Sequence, residues 1–367
     1  MIIKELKFKN FRHLQDNHIK PGEKMNVIVG DNGQGKTNLL ECIWMFNGVK
    51  SFRGSKDREL VRFNEKFSKI EVDFFSEERL QSARLEFVNG RREAYLNDVK
   101  KPAPSHLMGK ITSIVFSPEH LSLVKGGPSV RRKFIDSAIC QVKPKYSAYL
   151  VRYNKILNQR NALLKDISYY SELADTLEIW DKELALTGSV IISERLKYIS
   201  ELSAVAGEYH RGISESKEAL QLAYTGKYSG SEDTSCIYDE FCNALDKSRN
   251  EDISLKYTTK GPHRHDVDII INNRSAKMYA SQGQQRSAVL SLKLAEATLV
   301  DQITGRKPVI LLDDVLSELD KERQSFLLNK IKGRQVFITC CDCSTENLFE
   351  AGKVFLVNNG QISEKSI

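Results

Sequence analysis

At 367 residues, 41% apolar and 28% charged, the chain is long enough to bury a substantial core and to divide into a main domain with an insertion or second lobe. It has no run of about eighteen apolar residues, and Met1-Ile2-Ile3-Lys4-Glu5 lacks the layout of a secretory signal, so a cytoplasmic protein with no membrane association is expected. Seven scattered cysteines exclude a disulfide framework and suit a reducing compartment, while the net charge of +7 favours an anionic partner without choosing between nucleotide, nucleic acid and neither.

Residues 2–9 mix apolar and basic side chains as a half-exposed strand does, closed by Asn10-Phe11-Arg12. Arg12 reads equally as a solvated loop charge or as a group reaching phosphates held by the following loop. Met25–Val29 is a short buried strand, and Gly30-Asp31-Asn32-Gly33-Gln34-Gly35-Lys36-Thr37 fits the pattern G-x-x-x-x-G-K-[ST] without a gap. The glycines let backbone N–H groups turn inward as a nest for the β- and γ-phosphates of a nucleotide at a helix N-terminus. Lys36 supplies a mobile positive charge and Thr37 a hydroxyl for Mg²⁺, with a helix from Asn38 to Trp44 behind them. Ile70, Val72 and Phe74 alternate, as do Leu85 and Phe87 before the hairpin signal Asn89-Gly90, so 69–97 is an antiparallel layer beside the loop. Ile111–Phe116 is a further strand.

From Pro128 to Leu220 the periodicity is helical. Tyr146, Leu150, Tyr153, Leu157 and Leu164 form one stripe; Leu173, Leu177, Trp180, Leu184 and Ile191 form another after a polar turn. They predict a short antiparallel helical hairpin with a first arm about 30 Å long, too few heptads for a long coiled coil. Residues 226–235 read as a turn-rich exposed loop, and Ile253, Leu255 and Tyr257 as a strand. In Gly261-Pro262-His263-Arg264-His265-Asp266 the His pair has no third ligand at a suitable spacing, which favours a basic turn over a metal site; Val267–Ile271 is again a strand.

Ala280-Ser281-Gln282-Gly283-Gln284-Gln285-Arg286 opens an amphipathic helix running to about Gln302, with Ser281 as N-cap and Gly283 permitting close approach to the backbone. Pro308–Leu312 then runs into Asp313-Asp314, two carboxylates at the C-terminal end of a strand, where open parallel sheets bind ligands. Asp313 is placed to hold Mg²⁺ through water beside Thr37, and Asp314 to orient and polarise an attacking water. Glu318-Leu319-Asp320, a helix from Lys321, and strands Gln335–Thr339 and Lys353–Val357 follow; Cys340, Cys341 and Cys343 read as unligated thiols near a strand end.

In this order ASQGQQR, ILLDDVLSELD and QVFITCCD, after an N-terminal P-loop and a long insertion, resemble the head of the ABC/SMC-type P-loop ATPases. KNFR at 9–12, FSPEHLSLVKGGPSVRR at 116–132, GPHRHD at 261–266 and LLDDVLSELD at 311–320 resemble stretches of the RecF family within them. The resemblance implies an α/β fold: an ABC-type ATPase head, a mixed sheet with an antiparallel β layer, built from 1–127 and 251–367, and a helical lobe at 128–250. It implies a nucleotide-contacting set of Arg12, Gly30–Asn38, Ser281, Gly283 and Gln284, the catalytic residues Lys36, Asp313 and Asp314, and Mg²⁺ on Thr37 and Asp313. It also implies a homodimer closing on two ATP molecules, binding to single-stranded or gapped DNA, and work with RecR and RecO-pathway proteins in gap repair, replication and the SOS response.

The physical logic agrees on the dimer: a helix start so far along the chain from Lys36 suits the γ-phosphate held by a partner subunit. Gln282 stands where the wider family has a second signature glycine. Asp314 stands where many relatives have Glu, one methylene longer, and Cys340-Cys341-Asp342 where transporter ATPases have a switch His; slow, clock-like turnover is expected. Arg131, Arg132, Lys133, Lys143, Lys145 and Arg152, with Arg91, Arg92, Lys100 and Lys101, are candidate DNA-phosphate contacts. The rival readings are a transporter ATPase subunit, disfavoured by the long insertion, an SMC-like chromosome tether, disfavoured by the short hairpin, and a GTPase, disfavoured because Asn329-Lys330-Ile331-Lys332 lacks the Asp of N-K-x-D.

Overall fold

The computed structural model describes residues 1–48, 50–226, 233–341 and 352–365. Cys343 and most of the expected loop at 226–235 lie outside them. The chain forms two compact units, the first made of Met1–Leu121, Gly212–Ser214 and Arg286–Ile367, the second of Ser122–Arg211 and Glu215–Gln285.

The first unit begins with β1 (Ile2–Lys9), β2 (Asn17–Ile19), β3 (Met25–Val29), α1 (Lys36–Trp44), β4 (Phe67–Ser76), β5 (Arg79–Val88), β6 (Arg91–Leu96), β7 (Val99–Lys101) and β8 (Ser113–Phe116). An antiparallel sheet runs β2-β1-β4-β5-β6-β7. Its registers are fixed by two-residue turns with positive φ at both positions: Glu77-Glu78, Asn89-Gly90 and Asn97-Asp98. Such turns match the twist of the strands they join. Ile70, Val72, Phe74, Leu85 and Phe87 face the core, as their alternation predicts.

The second unit continues with α2 (Ser122–Lys125), α3 (Pro128–Val142), α4 (Tyr146–Asp166), α5 (Leu177–Ile213), β9 (Leu220–Tyr224), α6 (Thr234–Lys247), α7 (Arg249–Leu255), β10 (Val267–Ile271), β11 (Arg274–Ser275) and α8 (Ala276–Tyr279). Helices α4 and α5 are the expected antiparallel pair. Gly188 in α5 is where a Cβ would come within 2.4 Å of Phe241 and 3.1 Å of Tyr153, so glycine permits a close three-helix approach. Arg160 is fully buried; its Nε meets Asp181 at 2.7 Å and its Nη1 meets Asp252 and Thr258 at 2.7 and 2.8 Å, tying α4 to α5 and α7.

From α9 (Gln282–Thr304) the chain supplies β12 (Val309–Leu312), α10 (Lys321–Lys330), β13 (Val336–Cys340), β14 (Lys353–Asn358) and β15 (Gln361–Lys365). The second large sheet runs β15-β14-β3-β13-β12-β8, parallel except for the edge strand β15. One core cluster joins Leu6, Phe74 and Phe87 of the antiparallel sheet to Ile28, Leu311, Phe337 and Phe355 of the parallel one through Leu39, Leu40 and Ile43 of α1.

Two expectations are corrected. The helical lobe does not end at 250: β10 pairs antiparallel with β9 from Val267↔Tyr224 to Ile271↔Leu220, and Asp252 is held by Arg160, so residues 251–285 belong to the second unit. The first stretch of the head likewise ends at Leu121 and not at 127. Nor do Ile253, Leu255 and Tyr257 form a strand. Ile253 lies in α7 against the cluster of Leu164, Ile167 and Leu177, while Leu255 and Tyr257 are 45% and 40% exposed, so their alternation marks no buried face.

Arg160→Ala would leave Asp252 buried without its charge partner, and the expected loss is about 3–5 kcal/mol. Urea unfolding of the full chain followed by helical circular dichroism measures it; a change under about 1 kcal/mol would sink the assignment of Arg160 as the hub.

Candidate nucleotide site

The loop after β3 has the shape its glycines imply. Gly33 and Gly35 adopt φ of 82° and 117°, and a Cβ on Gly30 would lie 2.3 Å from the Val357 carbonyl oxygen. Only glycine makes this path without strain. The loop is fastened from the other end of the chain: Gly360 N–H donates to the Gln34 carbonyl at 3.0 Å, and Asn359 N–H donates to the Gln34 side chain. Asp31 and Asn32 stay exposed at the rim.

Helix α1 starts at Lys36 with no side-chain cap. Its first N–H groups have no intrahelical acceptors, and the macrodipole favours an anion there. Lys36 is 93% buried by its 7% exposure, yet its Nζ rests on the Gly30 and Asp31 carbonyls, the latter at 3.0 Å, with no carboxylate in ion-pair reach among the described residues. A buried ammonium facing two carbonyls and the Cys341 sulfur at 3.6 Å, beside an uncapped helix start, fits a polyphosphate.

Thr37 donates its hydroxyl to Asp313 Oδ1 at 2.8 Å, and Thr339 donates to the same oxygen at 3.1 Å. Burial pushes the Asp313 carboxyl above its ordinary value, against the two hydroxyl hydrogen bonds that pull it down. Hard oxygen donors on a carboxylate short of positive charge suit Mg²⁺, which would be held by Thr37 and Asp313. Asp314 adopts φ of 52°, a left-handed conformation that Asp tolerates better than most residues. Its N–H donates to Thr339 Oγ1 at 2.8 Å, leaving the half-buried carboxylate touched by the Ser317 hydroxyl at 3.1 Å.

Thus Gly30–Asn38, Asp313 and Asp314 converge in the first unit. Arg12 is not a solvated loop charge. Its Nε and Nη2 grip fully buried Glu41 of α1 at 2.9 and 3.0 Å, so it is a fork on an internal carboxylate. Asn38 accepts from Arg53 at 3.2 Å and lies 2.9 Å from His13 Nδ1. No local pattern marks His13, Glu41 or Arg53, whose roles rest on partners distant in the chain. Ser281, Gly283 and Gln284 lie in the second unit, where a reciprocal cap starts α9: Gln284 N–H donates to Ser281 Oγ at 3.2 Å, and Ser281 N–H to Gln284 Oε1 at 2.8 Å. Gln284 Nε2 also donates to Glu218 at 2.8 Å.

Of the candidate DNA contacts, Arg92 is paired with Asp57 and Arg131 with Asp266, both nearly buried, so they are structural; Lys143 and Arg152 pair with Glu194 and Glu183 at the surface. No cluster of three or more metal-ligating groups occurs among the described residues.

A P-loop opening a helix buried between an antiparallel and a parallel sheet, opposite a strand ending in paired carboxylates, defines an ATPase head of the ABC/SMC type. The model of the RecF/RecN/SMC N terminal domain family matches residues 2–363. The chain belongs to the RecF family: it is 40% identical to the DNA replication and repair protein RecF of Lachnoclostridium phytofermentans over 99% of this chain and 100% of that one, and 43% identical to that of Ruminiclostridium cellulolyticum over 93% and 92%. A solved structure of the recombination mediator protein RecF-ATP in the RecFOR pathway superposes with a TM-score of 0.93 at 36% identity, covering 100% of this chain and 98% of that one. An Smc head domain from Pyrococcus furiosus, at 16% identity and a TM-score of 0.54, shares the fold.

Asp313→Asn keeps an oxygen for both hydroxyl donors and removes a carboxylate that burial disfavours. Because the fold raises this carboxyl's pKa, the wild type loses stability as pH rises from the unfolded value of 3.8 through the folded one, and the penalty persists above it. The nucleotide-free variant is therefore expected to melt at or above the wild type at pH 7, with the gap closing in acid. Calorimetry showing the variant several degrees lower at pH 7 would contradict this.

Proposed function

We propose that this chain is a cytoplasmic, ATP-dependent DNA-binding protein of recombinational gap repair, replication and the SOS response. It dimerises around two ATP molecules, binds single-stranded or gapped DNA, and with RecR and RecO-pathway proteins helps to load recombinase. The observation that carries the reading is the buried Lys36 ammonium, without a carboxylate, beside the Thr37–Asp313 pair, in a chain similar from end to end to RecF-ATP. Among the described residues no helix is long and apolar enough to cross a membrane.

In this reading Lys36 leaves the loop carbonyls for the β- and γ-phosphates, while the N–H groups of 33–37 close around them. Thr37 and Asp313 would hold Mg²⁺, which would supply neutralisation of the phosphate charge. Asp314 orients the attacking water and takes its proton. Its carboxylate is one methylene shorter than the Glu common at this place, which makes hydrolysis slow and turns it into a timer of the dimer. Ser281 and the start of α9 meet the γ-phosphate held by the partner subunit, so the bound nucleotide becomes part of the interface.

Light scattering of the full chain without nucleotide, with ADP, and with ATP and Mg²⁺ tests this directly. Mass should double with ATP alone, a gapped duplex should strengthen the effect, and Ser281→Arg should abolish it while leaving ATP binding to the monomer intact. A mass indifferent to ATP would end the intersubunit mechanism. Asp314→Asn should retain the ATP-bound dimer and lower turnover by at least about 100-fold, the usual contribution of a positioned general base; unchanged phosphate release would remove Asp314 from the chemistry.

A further inference from the structure

The pair Arg131-Arg132 and the turn Gly261–Asp266 play no part in the nucleotide site. They meet in the second unit around a cavity of about 220 Å³ lined by Arg132, Asp136, Tyr153, Asn154, Arg195 and His263, among others. The charges around it do not balance. Arg131 spends Nε and Nη2 on Asp266 at 2.7 and 2.6 Å, and Arg195 spends Nε and Nη2 on Asp136, both at 2.8 Å. Asp136 also accepts from the Tyr146 hydroxyl at 2.7 Å. Half-buried Arg132 is left with one acceptor, the His265 carbonyl at 2.7 Å, and no carboxylate within ion-pair reach among the described residues.

Neither imidazole alters that sum at neutral pH. His263 Nε2 lies 3.1 Å from the Thr258 carbonyl and must carry the proton, so its Nδ1 accepts from the Tyr153 hydroxyl at 2.7 Å. Burial lowers the His263 pKa to about 4 and the His265 pKa to about 3. Three guanidiniums thus face two carboxylates. Burial, together with the like charge of Arg195, pushes the Arg132 pKa below its ordinary value.

We propose that this cavity is an anion site taking a phosphate group, gripped by the Arg132 fork; the Arg195 guanidinium behind it, held by Asp136 and by the Pro262 carbonyl at 2.6 Å, adds its charge and no free N–H. The planar guanidinium matches phosphate bidentately, and a phosphate replaces the missing third carboxylate. The cavity is smaller than the roughly 300–1,000 Å³ of sites that enclose a whole small molecule, and suits one phosphate with a few waters. The phosphate comes either free from solution or from a nucleic-acid backbone. The proposal does not rest on the ATP site and survives if ATP-driven dimerisation fails.

The test uses the full chain saturated with ADP, which fills the P-loop, melted in chloride and in inorganic phosphate at matched ionic strength. Phosphate should raise the wild-type melting temperature by several degrees more than that of Arg132→Gln. In chloride Arg132→Gln should melt no lower than the wild type, since it deletes an unpaired charge. Equal gains would mean only the general stabilisation that phosphate gives by exclusion, and would overturn the site. So would a variant that melts well below the wild type in chloride, which would make Arg132 structural; Arg132→Lys, keeping the charge without the fork, should fold and gain an intermediate amount. Once the phosphate-specific gain is seen, anisotropy with a short single-stranded oligonucleotide assigns the source. A roughly tenfold weaker affinity in Arg132→Gln points to a backbone phosphate, and an unchanged affinity to free phosphate.

Discussion

The structure depends on enclosing α1 on every face while leaving its first turn open. All residues of the helix except Thr37 are buried, including Glu41 and Asn38, so one sheet cannot suffice. The antiparallel layer covers one side and the parallel sheet the other, which fixes the sheet–helix–sheet head. The cost is a carboxylate in the core, and Arg12 and the Ser51 hydroxyl exist in this arrangement to satisfy it. A helix so held cannot shift without exposing apolar side chains, and the anion-binding end is rigid for that reason.

The second unit solves a different problem. Buried arginines link its helices: Arg160 across α4, α5 and α7, Arg195 from α5 to Asp136 of α3, and Arg131 from α3 to Asp266 before β10. Such pairs add little net stability over apolar groups of the same size. A slipped register, however, would strand a guanidinium without its carboxylate, so they act against wrong packings.

The head was largely legible in the sequence because its signals are local: the glycine spacing of 30–37, the alternation in β4 and β5, the apolar run ending in Asp313-Asp314. The signature helix start was legible for the same reason, since Ser281 and Gln284 cap each other within four residues. What was missed depends on distant partners. Arg12 stays open to two readings because Glu41 looks like an ordinary helix-surface residue until the second sheet is known. The boundary at 250 failed because β9 and β10 are separated by two helices, and neither reads as half of a pair. Strand β15, polar and at the edge of its sheet, has only Ile362 facing the core and gave no apolar pattern to find.

The fastening of the phosphate loop by Asn359 and Gly360 has a consequence for synthesis. Strand β3 lies between β13 and β14, which arrive more than 300 residues later, as do the Gln335 side-chain bonds to Ile3. A ribosome that has delivered the whole loop sequence has delivered neither of the strands that flank β3. The nascent N-terminal segment therefore exposes its apolar strand and helix, with no pocket to occupy, until nearly the last strand emerges. A well-formed loop is in this sense a certificate of completed translation: a chain cut between α1 and β14 carries the entire glycine motif without the strand and turn that hold it in shape.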